Sequence, residues 1–301
     1  MYENWYGYSE RPFSLTPDPA FMFLSRSHRT ALTMLEYGLM NLTPVCVITG
    51  EIGCGKTTLT RYWLNQVEKT VTVGVISNTS RSFGRLMQWV SLAFGLSFQG
   101  LDDVSLYDNF TQFLIKEYAA GRHAVLVVDE AQNLSRELLE ELRVLSNINA
   151  DKHVVLQTIL VGQPQLRDTI RSPVLVQLAQ RIGVDEHISP LDATEIKQYI
   201  WHRLRVARGK VSVFRPAALE LVVAVSGGVP RLINQLCDGA LVYGYADRKT
   251  QIDGPLMHRV IADRMRGGLF PGDADTSPVD VAADEAANDS QPTQTQFDLS
   301  V

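Results

Sequence analysis

The sequence predicts an α/β fold: a parallel sheet with helices on both faces, then a small all-helical domain and a disordered acidic tail. Three observations lead there. Five short apolar, β-branched runs alternate with helical patterns as far as Pro190. From Ala193 the pattern is purely helical, and from Gly267 large apolar residues become scarce. Near-continuous apolar strands suit a parallel sheet, because both of its faces are covered and neither alternates with water.

Strands are expected at residues 45–49, 71–77, 125–129, 154–161 and 184–188, and helices between them at 56–67, 83–94, 106–120 and 135–148. The last helix is well signalled. Ser135 stands as its N-cap, acidic residues fill its first turns, and Leu138, Leu142 and Leu145 recur at helical spacing. Further helices are expected at 193–207, 217–225, 231–245 and 254–265. The division is therefore 1–190 for the α/β core, 191–266 for a helical lid and 267–301 for the tail. That tail is too poor in large apolar residues to offset the entropy of ordering it.

With 301 residues, 45% of them hydrophobic, the chain can bury a sizeable core. Cys46, Cys54 and Cys237 are an odd, widely spaced set that fits neither a disulfide framework nor a zinc site. No apolar run approaches the roughly 18 residues of a membrane span, and the opening MYENWYGYSERPF lacks the pattern of a signal peptide. A soluble, cytoplasmic protein without direct membrane insertion is the expectation. The net charge of -5 is unevenly spread, since residues 271–301 carry seven acids and no Lys or Arg, leaving a nearly neutral body.

The strongest chemical signal is Gly50-Glu51-Ile52-Gly53-Cys54-Gly55-Lys56-Thr57, a complete G-x-x-x-x-G-K-[ST] between a strand and a helix, with Thr58 next. Such glycines let the backbone curl into a cradle of N–H groups for phosphates. Lys56 is placed for the β- and γ-phosphates of ATP, and the Thr57 hydroxyl for Mg²⁺. A second element agrees. Residues 125–128 are an apolar strand ending in Asp129 and Glu130, the form of a Walker B, with Asp129 for the Mg²⁺ shell and Glu130 for the attacking water. Two acids at a strand end can also simply cap the next helix.

Phosphoryl transfer needs positive charge on the transition state. The candidates are Arg181 and Arg171 before the fifth strand and Arg231 at the start of a lid helix, each of which could instead be a surface salt-bridge residue. Gln163, at the end of the fourth strand, is placed to sense the γ-phosphate or to serve as a turn residue.

Together with the opening segment, these motifs resemble the ExeA/GspA-type ATPases of the AAA+ superfamily, associated with bacterial secretion and related envelope export. The resemblance rests on PFSLTPDP from Pro12, on Phe21, Phe23 and His28, and on GEIGCGKTTL, VLVVDEAQNL, LQTILVGQPQL, ISPLDATEIKQYIWHRL and GGVPRLINQLCDGAL. It spans about residues 1–265. It implies an AAA+ P-loop NTPase in which residues 13–28 line the adenine end, Gln163 is the first sensor, Arg231 the second and Arg181 the arginine finger. A finger acting across an interface implies a homo-oligomer, a ring or a filament. Larger members carry a transmembrane segment and a peptidoglycan-binding domain that this sequence lacks. A cytoplasmic accessory ATPase of a secretion or exopolysaccharide system is therefore expected, peripheral at the inner membrane through an export-machinery partner.

Two other readings stand beside it. The module also resembles the AAA+ target-selection ATPases of transposons, and Arg203, Arg205, Arg208, Lys210 and Arg215, with Trp201 and His202, could form a face for DNA. That reading is not favoured, because no recognised DNA-binding motif accompanies the patch. The third is an ATP-gated scaffold with little turnover, against which Glu130 argues. Phe297 and Leu299 in the tail offer a docking peptide, and Cys54 a redox switch, as minor readings.

Overall fold

The computed structural model describes residues 1–77, 85–150 and 153–267. Its strands are β1 (Val45–Gly50), β2 (Val71–Ile76), β3 (His123–Val128), β4 (Asn149–Ala150), β5 (His153–Val154), β6 (Leu156–Gly162) and β7 (Ile182–Ile188). The helices are α1 (Tyr2–Tyr6), α2 (Arg26–Met40), α3 (Lys56–Leu64), α4 (Leu86–Ala93), α5 (Asp103–Ala119) and α6 (Arg136–Leu145). They continue with α7 (Gln165–Ile170), α8 (Val176–Ala179), α9 (Ala193–Val206), α10 (Pro216–Ser226), α11 (Pro230–Ala246) and α12 (Gly254–Arg266).

Five strands form one parallel sheet in the order β2-β3-β6-β1-β7, and β4 and β5 form a small antiparallel hairpin. Burial follows position. Every residue of the central strands β1 and β6 is buried, whereas the edge strands β2 and β7 are only partly covered. Alternate residues still face opposite ways. Val45, Val47, Leu126, Val128 and Leu160 join Phe110, Leu114 and Leu139 on one side, and Cys46, Ile48, Val127, Ile159 and Val161 join Leu35, Leu59 and Trp63 on the other. This is the expected α/β sheet.

Several expected elements shift in register. Strand β6 starts at Leu156, because His153 and Val154 turn into the hairpin. Ser135 caps α6, its hydroxyl accepting the Leu138 N–H at 3.3 Å. The buried stripe of that helix is Leu139, Leu142 and Leu145, and Leu138 lies at its margin. The start of the helix expected from 83, and the tail after Gly267, lie outside the described residues.

Residues 1–261 form one compact unit, within which the first fourteen residues pack on the helices after the sheet. Tyr2, Tyr6, Tyr8 and Phe13 are buried. Tyr2 donates to Asp238, which also accepts from Arg11 at 2.9 Å, and Tyr6 donates to the Lys249 carbonyl at 3.0 Å. The Phe13 ring meets Phe214 edge-on at 6.0 Å. Among the described residues no helix is long and apolar enough to cross a membrane.

Candidate nucleotide-binding site

Chain topology places the site. In an open parallel sheet, ligands collect outside the carboxyl ends of the strands. Here β1 ends in Gly50, β3 runs into Asp129 and Glu130, and β6 ends just before Gln163. Gly53 and Gly55 have φ of 84° and 92°, a left-handed backbone that a side chain would strain, and they curl the loop into the N-terminus of α3.

Lys56 opens that helix, and its side chain is buried. Its Nζ donates to the carbonyls of Gly50 at 2.8 Å and Glu51 at 3.0 Å. Burial lowers the ammonium pKa, with the negative charge of Glu130 opposing that shift. The Thr57 hydroxyl donates to Asp129 Oδ2 at 2.8 Å, and the Glu130 N–H to Asp129 Oδ1 at 2.9 Å. Burial raises the Asp129 pKa, and these two hydrogen bonds partly offset it. A hydroxyl and a buried carboxylate, both hard oxygen donors, thus meet beside a buried ammonium.

Glu130 adopts φ 54° and ψ 37°, left-handed for a residue with a side chain, which costs on the order of 1–3 kcal/mol. The following turn, Ala131–Asn133, is anchored by fully buried Ala131. It carries a residue that sequence reasoning missed. Gln132 Nε2 donates to Glu130 Oε2 at 2.6 Å, while Gln132 Oε1 accepts the Gln163 N–H at 3.0 Å. Its only signal in the sequence is its place two residues after the Walker B acid.

Ile52, Gly53, Cys54, Gly55, Lys56, Thr57 and Thr58 line one wall of the cleft, with Glu130 and Gln163. The facing wall carries Phe21, Met22, Phe23, Tyr199, Arg203, Asn234 and Arg231. Glu51 and Ile52 have exposed side chains, and Cys54 is fully buried, with its thiol pKa raised by burial. The walls touch at the loop itself, where the Arg231 N–H donates to the Gly53 carbonyl at 3.2 Å.

His28 fastens the opening segment to the same loop. Its buried ring contacts the Cys54 carbonyl through Nε2 at 2.9 Å and the Ser25 hydroxyl through Nδ1 at 2.7 Å. A carbonyl can only accept, so Nε2 carries the proton and Nδ1 receives the Ser25 O–H. Burial lowers the His28 pKa below its ordinary 6.5.

Two sequence expectations take a different place. Arg203 is no part of an exposed basic face. It is buried, donates to the carbonyls of Pro12 and Ser14 and to the Tyr199 hydroxyl, and stands 4.8 Å from the Phe21 ring centroid. His202 is half-buried and packs against Phe23, whereas Arg205, Arg208, Lys210 and Arg215 are exposed. Arg181 lies just before β7, at the end of the sheet opposite the glycine loop, and donates to the Ser146 carbonyl at 2.9 Å and to Asn147. It cannot reach the cleft of its own chain. Arg171 is exposed at the end of α7, also outside the cleft.

A protein-family model described as an AAA domain matches residues 41–170. The matched stretch contains the glycine loop, Asp129, Glu130, Gln132 and Gln163, while Arg171, Arg181 and Arg231 follow it in the chain. Over 247 residues the chain is 39% identical to general secretion pathway protein A of Aeromonas hydrophila, covering 82% of this chain and 45% of that protein. The likeness to the ExeA/GspA group read from the motifs is borne out at that level, and the chain spans about half the length of this curated relative.

Among solved structures, the ORC2 protein of Aeropyrum pernix in ADPNP–ADP complexes matches with a TM-score of 0.65 and 18% identity, over 85% of this chain and 72% of that one. The ORC1 protein of the same organism, in complex with DNA, gives 0.60 and 18% over 85% and 70%. A Walker-type ATPase of Pyrococcus abyssi gives 0.55 and 18% over 85% and 77%. These likenesses show the fold, a P-loop NTPase sheet with helices.

Proposed function

We propose that the chain binds Mg²⁺ and ATP in this cleft and hydrolyses ATP at the interfaces of a homo-oligomer, as an accessory ATPase of a bacterial export system. One observation carries the reading: the Thr57 hydroxyl and the Asp129 carboxylate meet 2.8 Å apart, beside buried Lys56 and next to Glu130. Thr57 and Asp129 are the residues that would hold Mg²⁺, and the pair fits a cation that favours oxygen ligands and one or two carboxylates. When bound, Mg²⁺ supplies positive charge to the phosphate oxygens.

The chain's own groups do the rest. Lys56 exchanges the Gly50 and Glu51 carbonyls for phosphate oxygens, and the N–H groups at the start of α3 cradle them. Glu130 orients and polarises the attacking water, Gln163 and Arg231 face the γ-phosphate from the two walls, and the opening segment through His28 covers the adenine end. The helices of 191–266 serve as the lid. Arg181, remote from its own cleft, is the finger offered to a neighbouring copy. The identity to general secretion pathway protein A supports the export assignment, and with it we propose a cytoplasmic site of action and an inner-membrane partner.

Steady-state ATP turnover against protein concentration, with and without duplex DNA, tests the proposal. Specific activity should rise with concentration, ignore DNA and vanish in Glu130→Gln. A mixture of Glu130→Gln with Arg181→Ala should recover part of it, because mixed interfaces pair an intact site with an intact finger. Activity independent of concentration, or strong stimulation by DNA, would contradict it.

A further inference from the structure

Gln132 is not accounted for by the phosphate cradle, the Mg²⁺ donors or the sensors. We infer that it is a positioning residue that fixes the Glu130 carboxylate and ties it to the end of β6, so that Glu130 and Gln163 respond to the γ-phosphate as one unit. This rests on the reading of the cleft as an ATPase site.

The amide is used at both ends and in one orientation only. Its NH₂ donates to the Glu130 carboxylate at 2.6 Å, and its carbonyl accepts the backbone N–H of Gln163 at 3.0 Å. Flipping the amide would set oxygen against carboxylate and N–H against N–H, so the partners dictate the assignment. Because the carboxylate is an anion, the first bond is of the stronger, charge-assisted kind. The second ends on main chain, so any movement of Gln163 on meeting a phosphate is passed to Gln132 without a change of rotamer at residue 163.

The backbone is shaped to admit this amide. The left-handed turn at Glu130 and the buried Ala131 bring the side chains of residues 130 and 132 to one side. At the last position of β6, a Cβ on Gly162 would stand 2.9 Å from Gln132 Oε1, 3.3 Å from the Gln132 nitrogen and 2.9 Å from Leu166 Cδ2. Backbone and packed leucine cannot yield as a flexible tip can. Gly162 is thus the clearance for Gln132, an observation independent of the hydrogen bonds.

Gln132→Met keeps length and volume but removes both bonds. It should lower kcat on the order of 10²-fold, the cost of a misplaced catalytic group, and leave KM and the affinity for a fluorescent ATP analogue unchanged. In nucleotide-free protein, hydrogen exchange in the peptide spanning residues 160–166 should quicken at the Gln163 amide. Gly162→Ala, which displaces the amide by crowding, should reproduce the kcat loss even where Gln132→Met folds poorly.

If Gln132→Met and Gly162→Ala both turn over at the wild-type rate while Glu130→Gln is inactive, the relay is wrong and the ATPase reading stands. If either variant loses ATP affinity in parallel with kcat, Gln132 merely supports the fold and the relay is likewise overturned. Full turnover in Glu130→Gln would instead remove Glu130 from the chemistry and the relay with it, whereas no turnover in the wild type would sink the ATPase reading on which the relay depends.

Discussion

On one wall of the cleft, nearly every polar group stands at a strand end or within a few residues past it: Lys56 and Thr57 after β1, Asp129 and Glu130 after β3, Gln163 after β6. On the other wall the groups meet over long stretches of sequence. Arg203 holds the carbonyls of Pro12 and Ser14, and the Tyr199 hydroxyl donates to Asn234 at 2.9 Å; outside the cleft lining, Tyr2 reaches Asp238. The sheet wall presents chemistry on a rigid scaffold. The helical wall is a clasp between the two ends of the unit formed by residues 1–261. Substitutions on the first should therefore damage chemistry and spare folding, and those in the clasp of the second, such as Arg203, should do the reverse.

The largest effect is expected on the sheet wall. Lys56→Ala should weaken ATP binding by about 2–5 kcal/mol, since it strips a buried charge from the phosphates, while the urea midpoint barely moves. Titration with a fluorescent ATP analogue checks it. On the helical wall, Arg203→Met should destabilise the chain by about 3 kcal/mol, because it leaves two carbonyls and the Tyr199 hydroxyl without their donor. Chemical denaturation reads this directly, and a stable Arg203→Met protein would break the distinction between the walls.

A smaller effect sharpens the comparison at the seam. The folded protein holds His28 neutral to a lower pH than the unfolded chain does, because burial lowers its pKa from 6.5. Below about 6.5 the unfolded state binds the extra proton, so acidification favours unfolding. His28 thus contributes fully above about pH 6.5, and that contribution falls as the pH drops toward the folded pKa. His28→Gln should cost about 1 kcal/mol at pH 7.5 and flatten the loss of stability between pH 7 and 5. Half-buried His123 and His202 shift in the same direction and should leave part of the slope in place. Smallest is Ser135→Ala, a purely local change, which should cost about 0.5 kcal/mol through the lost cap of α6 with turnover intact.

The same contrast decides what could be read from the sequence. The strands, the glycine loop and the Walker B acids are local patterns, in which a burial period or a fixed spacing carries the information. Gln132 was missed because its role depends on a register between β3 and β6 that places residues 132 and 163 together. Arg203 was misplaced because a basic residue on an amphipathic helix normally points to water. Nothing within α9 reveals that Pro12, Ser14 and Phe21 enclose it. The aromatic opening segment shows by itself only that it lacks a signal-peptide pattern, and its place on the helices depends on Asp238 and Lys249 standing beside it. Arg181 was legible as a candidate, yet its position at the far end of the sheet needed the strand order.

The central claim is that both walls close on one Mg²⁺-bound ATP. Calorimetric titration of ATP into wild type, Lys56→Ala and Arg231→Ala, each with and without Mg²⁺, tests it most directly. One site per chain is expected, dependent on Mg²⁺ and weakened by each substitution although the two residues belong to opposite walls. Tight binding in both variants, or no binding to wild type, would contradict the claim.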